Sequence, residues 1–136
     1  MVEPTDLLGT WQLARRILDR DGASRRFGHV TGTLTLRTAD DHDDVEWSEA
    51  GTLTWAGQQL QVHRRLLVRR DIAGWTVCFE DGRPFHPWRP GRPVVHDCLA
   101  DTYRGVVAAG DGELRVLWDV TGPHKDRRLF TRCRRP

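Results

Sequence analysis

The sequence predicts an all-β fold, a single closed antiparallel barrel of about nine or ten strands with one short N-terminal helical turn. Three observations predict it. Apolar and polar residues alternate with a period of two in segment after segment. Gly-containing turn signals separate those segments at regular intervals. Charged residues fall in phase with Trp and Val, which a packed sandwich face does not tolerate and a barrel mouth does.

The elements follow in order. Pro4 to Leu8 reads as a helical turn. Trp11, Leu13, Arg15 and Ile17 share one face of the first extended segment. The same period runs through Val45, Trp47, Glu49, Gly51 and Leu53, and through Leu60, Val62, Arg64, Leu66 and Val68. It returns in Trp75, Val77, Phe79 and Asp81, and in Leu114, Val116, Trp118 and Val120. Turns are expected at Asp21-Gly22, Ala56-Gly57, Asp71 to Gly74, Asp81-Gly82, Pro90-Gly91 and Asp111-Gly112. Asp40 to Asp44 reads as a polar hairpin tip. Closure is favoured because it removes edge strands that so short a chain would otherwise have to protect.

Length and composition set the class. The 136 residues suit one domain, 1–136, with one core. No run approaches the roughly 18 apolar residues of a spanning helix, so no membrane partner is expected. MVEPTDLLGTW lacks the basic and apolar regions of a secretory signal, which points to a cytoplasmic protein. The 21 basic residues nearly balance the 19 acidic ones, and Lys125 is the single lysine. Nucleic-acid binding would call for a basic stripe with interleaved aromatics. The dense run Arg132, Arg134, Arg135 reads instead as a solvated tail, so no nucleic-acid partner is expected. Cys78, Cys98 and Cys133 are odd in number and widely spaced, which argues against a disulfide framework and a structural zinc knot.

The densest chemistry lies in Asp81-Gly82-Arg83-Pro84-Phe85-His86 and in His96-x-Cys98-x-x-Asp101-x-Tyr103. One reading is acid–base work, with His96 tuned by Asp101 or Asp81 and with Tyr103 or Lys125 as proton donor. In a single regular strand Tyr103 would lie on the wrong parity, so a bulge or bend near Ala100 is required. The other reading is a hydrogen-bonded network that fixes loops at a barrel end. His86, His96, Cys98 and Asp101 are acceptable metal-ligand types, but their spacing matches no zinc motif, and no metal is expected. His63 and His96 are conceivable haem ligands, yet the interior is too charged for haem. Cys98 lacks an oxyanion loop, and neither a P-loop nor G-x-G-x-x-G occurs, so no cofactor is expected. Arg15, Arg64, Arg83 and Lys125 outnumber the inward acids Glu49 and Asp81, which leaves a positive site suited to a carboxylate or phosphate. Trp11, Trp47, Trp75 and Trp118 suit barrel filling, and Trp88 a place at the mouth.

Gly9-Thr10-Trp11 after a helical turn resembles the G-x-W entry of lipocalins and related calycin barrels. The resemblance implies a Trp plugging one end with a basic residue across it, here Arg134 or Arg135. LLGTWQLARRILDRDG, FEDGRPFHPW, HDCLADTY and WDVTGPHKD together resemble a bacterial family of short calycin-like barrels of unknown function, from Leu7 to Arg135. This implies the fold and the choice of polar residues, and it implies no activity. Where that family tends to carry an aromatic residue near the C-terminus, this chain has Cys133.

The leading expectation is a barrel that binds a small anionic organic molecule through Arg15, Glu49, Arg64, Asp81, Arg83, His86, Cys98 and Trp118. The alternative is a cofactor-free isomerase, lyase, cyclase or hydrolase using His96, Asp101, Tyr103 and Lys125. A third reading is an accessory protein with a solid core that binds a partner. The sequence leaves the oligomeric state open.

Overall fold

A computed structural model describes residues 1–22, 24–39 and 43–136. Asp40, Asp41 and His42 of the expected hairpin tip lie outside the described residues. A 3-10 turn, Pro4–Leu7, has Pro at its start, where the fixed φ helps and the missing N–H does no harm. Among the described residues ten strands follow: β1 Gly9–Asp19, β2 Arg26–Thr38, β3 Val45–Trp55, β4 Gln58–Asp71, β5 Gly74–Phe79, β6 Pro84–Pro87, β7 Pro93–Cys98, β8 Asp101–Gly110, β9 Glu113–Gly122 and β10 Lys125–Arg134.

They form one antiparallel sheet in the order β6-β5-β4-β3-β2-β1-β10-β9-β8-β7. The sheet curls into a nearly closed barrel. The expected closure is therefore incomplete in hydrogen bonding, because no ladder joins β6 to β7. Pro84, Pro87 and Pro93 on those two edge strands lack the N–H groups a ladder needs. Phe85 and Trp118 stack across the seam region, with centroids 4.9 Å apart, and supply packing there instead.

The ladders fix which residues face inward. Arg15 stands opposite Val30 and Thr131, and Glu49 opposite Leu34 and Arg64. Leu34, Val45, Val68 and Leu114 are almost fully buried on that inner face. Gly32 and Gly51 face each other, and a Cβ on either would strike the backbone of the neighbouring strand. Only glycine permits this close approach, and it leaves space inside beside Arg15 and Glu49.

One end of the barrel is plugged. Trp11 is 1% exposed, and its Nε1 donates to the Leu7 carbonyl at 2.9 Å. The Arg135 guanidinium lies 4.2 Å from the centre of its ring and donates to the Leu8 carbonyl. Arg134 instead donates to Glu113 on the outer wall. The expected solvated tail is thus wrong for Arg132 and Arg134, which lie in β10, and for Arg135, which caps the plug. Trp88 also belongs to the plugged end and not to the mouth, since its Nε1 donates to the Val2 carbonyl.

Candidate functional site

The opposite end is a mouth formed by the turns β1–β2, β3–β4, β5–β6, β7–β8 and β9–β10. Beneath it lies a buried carboxylate between two guanidinium groups. Glu49 is 5% exposed. Its Oε1 accepts from Arg15 Nη2 at 2.9 Å, and its Oε2 accepts from Arg64 Nη2 and Trp47 Nε1, each at 2.9 Å. Arg15 Nε also donates to Thr131 Oγ1 at 2.7 Å. Burial by itself would raise the Glu49 carboxyl, but Arg64, Arg15 and the Trp47 N–H outweigh it and hold the group below the ordinary carboxylate range. The cluster carries two cations and one anion. Each guanidinium has five N–H donors, and this network engages only some of them.

Two cavities open beside the cluster and meet at His63 and Arg64. The first, of about 220 Å³, has Leu13, Ile17, Val30, Leu53, Val62 and Leu129 as aliphatic walls, with Arg15 and Glu49 also lining it. The second, of about 880 Å³, is bounded by Phe79, Phe85, His96 and Tyr103. These aromatic groups pack on one another. The Phe79 and Phe85 rings stack at 4.7 Å, and His96 meets both edge-on at 5.5 and 5.2 Å.

The His-Cys-Asp-Tyr cluster is a hairpin, not one bent strand. Cys98 pairs with Asp101 and His96 with Tyr103 across the two-residue turn Leu99-Ala100. Leu99 takes φ +57° there, a conformation costly for a side chain of this kind. The hairpin puts all four side chains on one face, so the parity problem of a continuous strand disappears. His96, Cys98 and Tyr103 line the larger cavity. Asp101 accepts from Lys125 at 3.1 Å at the rim. Its carboxyl occupies the space above Gly122, where a Cβ would collide with it.

Other residues stand apart from the interior cluster. Asp81 does not point into the barrel: β5 ends at Phe79, and Asp81 lies in the exposed turn before β6, paired with Arg83 at 2.7 Å. Among the described residues His96 donates no hydrogen bond to Asp101 or Asp81, whose carboxylates pair instead with Lys125 and Arg83. His86 is buried, with Nδ1 2.9 Å from the Pro87 carbonyl. That contact makes Nδ1 the protonated nitrogen of the neutral ring. Burial pushes the His86 pKa down, the Pro87 bond pushes it up, and the charges of His96 and Arg64 lower it further, for a net decrease. Trp118 is buried and lies across Gly105, which has no room for a Cβ. Cys133 is 1% exposed, and burial, reinforced by the Glu49 charge, pushes its thiol up to about 12. It is therefore a small core residue and not a nucleophile.

Sequence reasoning missed Thr131, Trp47 as a donor to Glu49, and the aromatic floor of Phe79 and Phe85. The phase of Trp47 with Glu49 is legible two residues apart. Thr131 needed the β1–β10 register, which the sequence does not display. No group of three or more His, Cys, Asp or Glu placed to hold a metal occurs among the described residues. Among the described residues no helix is long and apolar enough to cross a membrane.

The model of a family described as "Family of unknown function (DUF6314)" matches residues 7–135. No curated protein and no solved structure matches. The match spans both the Trp11 plug and the Arg15–Glu49–Arg64 cluster, and the chain belongs to this family of unknown function.

Proposed function

We propose that the barrel binds a small organic anion through its open mouth, with a carboxylate or similar group held by the spare N–H donors of Arg15 and Arg64. One observation carries the reading: a buried carboxylate held by two guanidinium groups, the nearly buried Arg15 and the 41% exposed Arg64, leaves one cation in excess where two cavities meet. A cation in excess at a partly desolvated site favours an anionic ligand over water alone. Arginine forks match a carboxylate in geometry, and the flanking aliphatic and aromatic walls favour a ligand with an apolar body. The Trp11 plug with Arg135 across it supports the resemblance to calycin barrels, whose architecture leaves one end open. Binding is favoured over acid–base catalysis because the two carboxylates expected to tune His96, Asp101 and Asp81, pair with Lys125 and Arg83 instead.

The anionic aromatic dye 8-anilinonaphthalene-1-sulfonate is a suitable probe. The folded protein should bind it with one-to-one stoichiometry and enhanced fluorescence. Arg64→Ala should weaken binding about tenfold, the loss of one charge-assisted hydrogen bond. Arg16→Ala, on the outer wall, should leave binding unchanged. Equal affinity in all three proteins would overturn the reading.

A further inference from the structure

The barrel wall has a gap that its own strands do not fill. β4 pairs with β3 from Gln58 through Val68, but with β5 only from Leu66 onward. Along Gln58–Arg65, among the described residues, no backbone hydrogen bond is made on the side away from β3. Every second residue of an antiparallel strand directs its N–H and C=O to the same side, so half of these residues present an unmade ladder. β7 has a neighbour on one side only as well. The larger cavity lies between these two edges and is floored by Phe79 and Phe85.

Protected edges carry proline, charge or a bulge. β6 and β7 carry Pro84, Pro87 and Pro93. The free edge carries its charge only at its far end, in Arg64 and Arg65; the stretch Gln58-Gln59-Leu60-Gln61-Val62 has no proline and no charge, and its ladder with β3 is regular. Leu60 is 56% exposed on it.

We propose that the free edge of β4 is a strand-addition site for an extended segment of a partner protein, with apolar residues alternating inward and acidic residues outward. The alternation follows from the two faces of β4. Leu60 and Val62 share the inner face with Arg64, whereas His63 and Arg65 lie on the outer face. An added strand places its own side chains beside these at the same period. A second copy of this chain fits less well, because Gln58–Arg65 contains no acidic residue to meet His63 or to join Glu46 beside the exposed Arg65, whose Nε lies 3.8 Å from that carboxylate. The proposal goes beyond small-molecule binding and does not depend on it, since it uses the backbone of β4 and outer-face side chains, whereas of these residues only the inward side chain of Arg64 belongs to the interior cluster.

The test uses the full chain and a fluorescein-labelled peptide of about ten residues in which valine and glutamate alternate. Anisotropy should show saturable binding, and the amides of Gln58–Arg65 should gain protection from hydrogen exchange. Arg65→Glu should weaken binding by about tenfold, and a peptide alternating valine and lysine should regain it. N-methylation of alternate peptide bonds removes donors while keeping charge and side chains, and should abolish binding. No anisotropy change at about millimolar peptide overturns the proposal. So does undiminished binding of the N-methylated peptide, which would mark simple charge attraction. Concentration-dependent dimerisation that already protects these amides overturns it too, by naming a second copy as the occupant.

Discussion

Glu49 shows how one buried charge organises its neighbours. It accepts hydrogen bonds from Arg15, Arg64 and Trp47, so replacing it orphans three donors at once. Glu49→Ala should cost on the order of 3 kcal/mol, the cost of leaving buried charge uncompensated. Arg64→Ala should cost about 1 kcal/mol or less, because its side chain is 41% exposed and water can replace it. Urea midpoints of the two variants measure the difference, and equal losses would mean that Glu49 is better solvated than its burial implies. Much of this cluster was legible in the sequence: Arg15, Glu49 and Arg64 each stand in phase with buried Trp, Leu or Val, and a period of two survives without knowledge of the partner strand. Asp81 was not legible, because the same period carried one residue too far. It continues Trp75, Val77 and Phe79 on paper, but the Asp-Gly turn that follows has already ended the strand.

At the scale of elements, hairpins decide which polar side chains meet. The β7–β8 turn was invisible because Leu99-Ala100 contains neither Gly nor Asn, and its positive φ falls on a leucine. The β9–β10 hairpin brings Gly122 and Lys125 together, and β8 adds Asp101 beside them. The Asp101 carboxyl fills the place a Cβ would take at Gly122, so a side chain there has to displace it. Gly122→Ala should therefore destabilise the protein by about 1–3 kcal/mol, the usual cost of overpacking. The cost should fall to a few tenths in an Asp101→Ala background, where the nearest remaining contact is the Ala100 carbonyl at 3.3 Å. A thermal-melt cycle of the two singles and the double measures this coupling. Additive losses would show that the Asp101 side chain does not confine residue 122.

For the whole molecule, alternation and turn spacing gave the all-β barrel, whereas the seam between β6 and β7 and the gap beside β4 depend on strand lengths that alternation does not set. Stability against pH tests the interior as one unit. His86 is buried, and its pKa lies below the ordinary 6.5 chiefly because burial disfavours the cation. A histidine depressed in the folded state adds stability that is fully present above 6.5 and is lost as pH falls below it, because the unfolded chain takes up the proton first. Glu49 is depressed below 4.5, since Arg64, Arg15 and Trp47 outweigh the effect of burial, so its contribution is present above 4.5 and lost as pH falls through the folded value. Glu113 and Asp119 join this acid limb, held low mainly by hydrogen bonds from Arg132 and Arg134 and from Arg128 respectively. Stability should therefore fall in two stages on acidification, the first beginning near 6.5 and the second below 4.5. His86→Asn keeps a donor for the Pro87 carbonyl but has no titrating ring. It should flatten the first stage and leave the second intact when urea midpoints are followed across the range. If the variant and the parent chain lose stability equally between 6.5 and 4.5, the buried neutral imidazole is not the group that sets the first stage.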